Sequence, residues 1–464
     1  MKSTLTLSSA LVICAACVVG PDLAPPDVST PETFQTTVEL APETSDADWW
    51  IGFSDPTLDT LIVDALDNNF QLVAADANLR RTIALLRASE SDLLPTLDAF
   101  VDTQLSAQFD DNDTDSSASG STGLAFGFDP DLAGRNKRRI QAAEATMQAA
   151  AFQVDDVRRI VAESVALEYV ELKQASVRLE LLESSLELQD RTLEIVRARF
   201  DAGLSPSLDV DRAASDLART RAQRGRLIAD QRDALFALSV LTGRIPSAVL
   251  FDEDGPVAIP QLSSTPLVGL PRDILRRRPD LRVAEANFLV ELALIGVEEA
   301  DLYPSIQIPG RLTGRAISSG NPAESLTASL SAVIDLPIFD AGRRRAELEA
   351  QRARADSAAA NYQSAVLAAL VEVESVLARI EALQSQLADL SEAVERSQSA
   401  YEQLDALYRE GLAGFIDVLD AQRNLISSRE SVVDTQADIA SATIRLYASL
   451  GLSAAPASIE SVQN

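Results

Sequence analysis

The chain has no histidine, and its only two cysteines, Cys14 and Cys17, both lie in the first twenty residues. Imidazole acid–base catalysis, His metal sites, Cys nucleophiles and structural disulfides are therefore excluded from the rest of the sequence. Methionine and tryptophan number two each, aromatics are 5% of residues, and no Gly-rich phosphate loop or paired-acid motif stands out. Past the N-terminus no helical run is apolar all round for about 18 residues, so no membrane-spanning helix is expected. Basic residues are outnumbered, 40 Lys and Arg against 70 Asp and Glu. The resulting formal charge of −30 argues against a nucleic-acid partner, because phosphate binding needs clustered Lys and Arg. What is plentiful is Ala, Leu, Glu, Gln and Arg, the composition of a mostly helical protein. Nothing in it supports an enzyme, a cofactor or a resident metal.

The Cys14-x-x-Cys17 spacing would suit a redox or zinc motif only at a strand–helix junction. Here it follows Met1-Lys2 and the apolar run from Leu5 to Ile13, which reads as a secretory leader. Ala15-Ala16 supply the small residues that a signal peptidase accepts, whereas Ile13 before Cys14 is too bulky. The stretch resembles a bacterial lipoprotein signal over residues 1–16, with Cys17 as the lipidated first residue of the mature chain. Such signals usually carry Leu where this one has Cys14. Val18, rather than Asp, after Cys17 implies sorting to the outer membrane.

The body of the chain is a tandem duplication. "LVAADANLRRTIALLRASESDLLPTL" (72–97) aligns with "LRVAEANFLVELALIGVEEADLYPSI" (281–306), and "DLAGR" (131–135) with "FDAGR" (339–343). Gly203-Leu204 then meets Gly411-Leu412, Asp209-Val210 meets Asp417-Val418, and Gly243 meets Gly451, all at one constant offset. The first copy is placed at 58–243, the second at 272–451 and a linker at 244–271, with an extended segment at 17–57 and a tail at 452–464. In each copy a helix, of about 36 residues in the first (58–93) and somewhat shorter in the second (272–301), precedes a Gly/Ser/Thr-rich region. Long helices with no Gly or Pro inside follow at 135–200 and 343–409, and then further, shorter helices at 207–242 and 415–450. At 1.5 Å per residue the long helices are about 100 Å each, far beyond the globular average. Heptad-like apolar positions such as Val161, Val165, Val170 and Val366, Val373, Leu377 predict coiled-coil packing.

Between the helices, two hairpins are expected, at about 95–129 and 304–336. Leu97, Ala99, Val101 and Leu105 alternate with Asp98, Asp102 and Gln104, with Phe100 out of pattern. Leu326, Ala328 and Leu330 likewise alternate with Thr327 and Ser329, and "DDNDTDSSAS" (110–119) and "AISSGNPAES" (316–325) are expected as the turns. Runs of about ten residues with one apolar and one polar face fit transmembrane barrel strands. Four strands cannot close a barrel, and an open edge is not tolerated in lipid, so closure demands several chains. Three copies would give twelve strands. A soluble amphipathic hairpin resting on helices shows the same alternation.

"CVVGPDLAPP" (17–26), "DWWIGFSDPTLDTLI" (48–62), "LLRRRPDLRVAEANF" (read from Leu275), "DLPIFDAGRR" (335–344) and "YREGLAGFIDVLDAQRNLISSRE" (408–430) together resemble the TolC-like outer-membrane factors, in their lipoprotein, multidrug-efflux branch. The resemblance spans essentially the whole mature chain. It implies a mostly α fold with a small β part: a homotrimeric α-helical tunnel in the periplasm of a Gram-negative bacterium, carrying a twelve-stranded outer-membrane barrel. It further implies a passive exit duct for drugs or other small toxic compounds, supplied by a periplasmic adaptor and an RND-type inner-membrane pump. Linker 244–271 and the termini would form an equatorial belt. Gly203, Leu204, Ser205, Pro206, Gly411 and Leu412 become adaptor-contact candidates, although each glycine also reads simply as a helix stop. Ile416, Asp420 and Arg423, on one helical face at i, i+4 and i+7, match the family's constriction, with Tyr408 near the contacts that hold the tip shut. Three Asp420 carboxylates around one axis would attract cations. Asp420 and Arg423 also read as an ordinary exposed i, i+3 pair. The exit duct of a protein-secretion or metal-export system, or a lipid-anchored periplasmic coiled coil, remain alternatives.

Overall fold

The computed structural model describes residues 18–26, 28, 31–35, 48–110, 113–246, 257–261, 271–318 and 323–452. Cys17, most of linker 244–271 and the tail after Leu452 lie outside them. The elements run from a 3-10 turn (Trp49–Phe53) through α1 (Pro56–Asn68), α2 (Phe70–Ser91), β1 (Thr96–Asp110), β2 (Asp113–Gly127), α3 (Arg135–Asp201) and α4 (Ser207–Leu241). After the linker come α5 (Pro271–Arg277), α6 (Pro279–Ala300), β3 (Ser305–Gln307), β4 (Gly310–Ser318), β5 (Ala323–Leu330), β6 (Val333–Asp335), α7 (Arg343–Arg409) and α8 (Phe415–Ser449). Both long helices, α3 and α7, have 67 residues, and both α4 and α8 have 35.

Three sequence expectations need correction. The first helix of each copy is two helices. Asn69 is extended and caps α2 by accepting from Gln71 N (2.8 Å), while its amide donates to Leu241 O at the end of α4 (2.9 Å). Arg278 separates α5 from α6 because the residue before Pro279 is pushed out of the α region. The turns at 110–119 and 316–325 are much shorter than expected. β1 and β2 pair from Thr96↔Gly127 out to Asp110↔Asp113, and β4 and β5 run to Ser318 and from Ala323. Ser and Thr side chains suit a ladder as well as a loop, so composition misplaced those boundaries. The second hairpin is also broken into β3–β6 and β4–β5, the interruptions falling at Pro309, which lacks an N–H, and at 331–332.

The chain forms two compact units. One comprises 1–28, 77–152 and 281–365. It holds the four-stranded antiparallel sheet, ordered β1-β2-β4-β5, so the outer edges of β1 and β5 lack partners within the chain's described residues. Register aligns Leu97, Phe126, Gly310 and Leu330 across one face, with Ala99, Leu124, Leu312 and Ala328 in the next row and Val101, Thr122, Gly314 and Leu326 in the third. This apolar face is open: Val101 is 79% and Leu105 85% exposed. At the foot of the sheet Arg135 pairs with Asp301 (3.0 Å), and the Gln351 amide donates to Glu291 Oε2 (2.7 Å). Residues 18–20 lie against the start of α3, where Arg138 donates to Val19 O (2.8 Å) and Gly20 O (3.0 Å).

The other unit comprises 29–76, 153–280 and 366–464. Its core gathers Trp49, Trp50, Phe53, Leu58 and Ile62 against Val161, Val165, Tyr169, Leu238 and Ile444. Trp49 stacks on Tyr447 with centroids 5.4 Å apart. Asp55 joins two tasks: one oxygen caps α1 at Thr57 N (3.0 Å), and the other accepts from the buried Tyr169 hydroxyl (2.8 Å). Burial and that carboxylate push the Tyr169 hydroxyl far above the usual phenol range. Arg278 is buried and fully engaged, by Asp280 (2.6 Å), Glu372 (2.7 Å) and the Ser449 carbonyl (2.9 Å). Among the described residues no helix is long and apolar enough to cross a membrane.

Candidate gate and helix-hairpin tips

The α3–α4 and α7–α8 connections close in the same way. Gly203 (φ +74) donates to Phe200 O (2.8 Å) and Leu204 N to Arg199 O (2.8 Å). Gly411 (φ +80) donates to Tyr408 O (3.0 Å) and Leu412 N to Leu407 O (2.8 Å). Each is a Schellman ending, in which glycine takes the left-handed position that returns the last N–H groups to the helix carbonyls. The leucine after each glycine has no room inside so tight a turn, and Leu204 and Leu412 stand 66% and 72% exposed. Pro206 and Gly414 then precede α4 and α8, with Asp417 Oδ2 accepting from Gly414 N (3.2 Å).

The side chains around the two turns differ, and they tie the copies together. Tyr408 is 4% exposed, whereas its counterpart Phe200 is 44% exposed. The Tyr408 ring packs against Phe415 (centroids 5.8 Å) and under the Arg199 guanidinium (4.7 Å), and its hydroxyl lies 3.5 Å from Ser205 Oγ. Arg199, from the first copy, donates to the Tyr408 and Arg409 carbonyls (2.8 and 3.2 Å), neutralising the free end of α7. In return Arg423, from the second copy, grips Asp216 of the first through Nε and Nη2 (2.9 and 2.6 Å). Asp216 is buried and also accepts from Gln189 Nε2 (3.2 Å). One turn along, Gln422 donates to Thr192 Oγ1 (3.2 Å).

Arg423 is thus bound sideways to α4 and not to Asp420. Ile416 and Asp420 remain exposed on α8, and Asp420 has no ion pair among the described residues. The geometry brings Tyr408, Arg423, Arg199 and Asp216 into one interlocked cluster with the apolar side chains of Val196, Ala213, Leu217, Val418 and Leu419. It leaves Ile416 and Asp420 free for whatever α8 faces. Sequence reasoning passed over Arg199 and Asp216. A signal existed: Ser215-Asp216 in the first copy stands opposite Arg423-Asn424 in the second, so the acid and the base exchange sides within one register.

A channel subunit is the class of protein that such a molecule defines: an unclosed sheet with one apolar face, borne on duplicated long helices. The outer membrane efflux protein family model matches residues 61–244 and 270–452. Nodulation protein T of Rhizobium leguminosarum bv. trifolii is 28% identical over 448 residues, covering 95% of this chain and 94% of that protein. The cation efflux system protein CusC of Escherichia coli (strain K12) is 28% identical over 445 residues, 94% of this chain and 96% of that one. Among solved structures, the outer-membrane channel OprN superposes with a TM-score of 0.86 at 29% identity, covering 94% of this chain and 99% of its own. The chain belongs to the outer membrane efflux protein family.

Proposed function

We propose that three copies of this efflux channel close head to tail, β5 of each pairing with β1 of the next, into a twelve-stranded barrel continued by a helical tunnel. The observation that carries the reading is the sheet of the single chain: two unpaired edges, one face apolar and exposed, and no helix among the described residues able to span a membrane. Lipid tolerates no free strand edge, so the sheet is complete only in a ring. The duct is passive, with energy supplied by an inner-membrane pump through a periplasmic adaptor.

The exposed tips, Gly203, Leu204, Ser205, Pro206, Gly411 and Leu412, are the proposed adaptor contacts. Tyr408 and Arg423, with Arg199 and Asp216, hold α7–α8 onto α3–α4, and Ile416 and Asp420 form the constriction on the open face of α8. Cys17, lipidated, would anchor the chain beside the clamp of residues 18–20 on Arg138. Drugs and other small toxic compounds are the proposed cargo. Metal export draws support from the likeness to CusC, in which case the metal is cargo and not a resident ligand.

Planar-bilayer conductance tests the gate. The wild type is expected nearly closed, and Asp216→Ala and Arg423→Ala each open a wide, steady current. Unchanged current in both variants, from intact trimer, would remove the Arg423–Asp216 tie from the gate.

A further inference from the structure

The polar face of the sheet separates its charges. Register puts Asp98, Ala125, Arg311 and Ser329 in one row, Phe100, Gly123, Thr313 and Thr327 in the next, and Asp102, Ser121, Arg315 and Ser325 in the third. The acids stand on edge strand β1 and the arginines on β4, with β2 between, so acid and base are two strands, about 10 Å, apart. Among the described residues neither Arg311 nor Arg315 has a carboxylate within ion-pair distance, in a chain of net charge −30. Both are exposed.

Phe100, the one residue out of pattern in β1, lies on this same face. Its ring covers Gly123, where an added Cβ would sit 2.9 Å from Phe100 Cζ and 2.0 Å from the Leu312 carbonyl oxygen. The Arg311 guanidinium stacks on that ring, Cζ 4.0 Å from the centroid. The stack holds the guanidinium flat over the aromatic plane, with its N–H fork free to face solvent. Beside it Thr313 and Ser325 offer hydroxyl donors, while the Ser329 hydroxyl donates to the Arg311 carbonyl (3.4 Å).

We infer that Arg311 and Arg315, with Phe100, form an organic-anion subsite inside the barrel, taking a planar aromatic carboxylate. The carboxylate lies against the arginine fork and the hydroxyls, and the ring system of the ligand extends along Phe100. Three copies would set six guanidinium groups on the barrel wall, countering the acidic chain there and raising anion permeability. The inference rests on the barrel reading above, which makes this face the lumen.

The test uses full-length protein in planar bilayers, in an Arg423→Ala background so that the tip does not limit the current. The chloride-to-potassium permeability ratio is read in a KCl gradient, and block of the open current is titrated with 2-naphthoate. Arg311→Gln/Arg315→Gln is expected to lower the permeability ratio about threefold and weaken naphthoate block about tenfold. Arg311→Lys/Arg315→Lys should restore the ratio but not the block, since a lysine keeps the charge and loses the planar fork. Phe100→Leu should weaken block while leaving the ratio unchanged. A glutamine variant that conducts as a heat-modifiable trimer with parental selectivity and block overturns the subsite and leaves the duct standing. A parent that neither conducts nor migrates as a heat-modifiable trimer overturns the duct reading, and the subsite with it.

Discussion

The same helix ending occurs four times among the described residues, in two very different settings. Gly203 and Gly411 end α3 and α7 at the tips, and Gly243 and Gly451 end α4 and α8, each with positive φ and the paired return hydrogen bonds of a Schellman motif. At the tips the glycines stand in the open: a Cβ on Gly203 meets nothing within 4 Å, and one on Gly411 meets only Arg199 Nη2 at 3.6 Å. At the other ends they are packed shut. A Cβ on Gly243 would sit 2.5 Å from the Asn68 carbonyl oxygen, and one on Gly451 2.7 Å from Arg278 N. A duplicated stop signal thus came to serve cohesion at one end and display at the other. Local conformation is common to both; only the surroundings separate a buried joint from an exposed contact.

Substituting the glycines breaks the comparison most sharply. Gly451→Ala adds a backbone clash to left-handed strain and displaces Arg278, whose three partners are then lost. A loss of about 4 kcal/mol, read as a large fall in the trimer's unfolding midpoint, is expected. Gly203→Ala carries only the strain, about 1 kcal/mol, and leaves assembly intact. Equal losses in thermal unfolding of the two variants would show that packing at Gly451 contributes nothing.

The Arg423–Asp216 tie should come second. Removing Arg423 leaves a buried carboxylate with only the Gln189 amide, at a cost of about 2 kcal/mol. Since Arg423 itself is partly exposed, its side chain 41%, the cost falls below that of a fully buried pair. A double-mutant cycle on Arg423→Ala and Asp216→Ala, scored by unfolding, is expected to return a coupling above 0.5 kcal/mol, about the floor for residues in contact. Arg199→Leu comes next. It restores the second copy's residue at the matching position, removes the carbonyl contacts of α7 and the stack on Tyr408, and should cost about 1 kcal/mol. If Arg199→Leu opened the channel more than Arg423→Ala, the carbonyl tie and not the ion pair would be the stronger latch.

Much of this was legible in the sequence because it repeats. Matching segments at an offset of 209, then 208 after a single one-residue slip, exposed the duplication; unbroken Gly- and Pro-free runs gave the long helices, and alternation in 97–109 and 326–336 gave the strands. What was missed depended on side chains from distant segments. Asn69 looks like any polar helical residue until its amide reaches the end of α4. Spacing on α8 suggested an Asp420–Arg423 pair, but nothing local tells that Arg423 turns across to Asp216 on α4. Phe100 looked like noise in an alternating strand; its reason is Gly123 on the neighbouring strand and Arg311 on the one beyond.

The smallest expected effect lies back on the cohesive side of the comparison, in the charges around Arg278. Glu163 of α3 is largely buried, and desolvation raises its pKa above the ordinary carboxylate range. Arg159, 3.7 Å away, opposes that shift, and Glu372 on α7 adds to it. Arg445 and Arg278 pull it back down. A raised folded-state pKa means that the neutral acid is favoured in the fold. Its stabilising contribution is complete below the unfolded value and disappears as pH rises through the folded one. Glu163→Gln keeps the size and removes the titration. The variant should therefore match or exceed the wild type in thermal stability near pH 7. Its advantage should shrink on acidification towards the ordinary carboxylate range, about pH 4. Should Glu163→Gln instead lose stability at pH 7 and recover in acid, the ion pair with Arg159 outweighs burial, and this end of the helices is held by charge as the tips are.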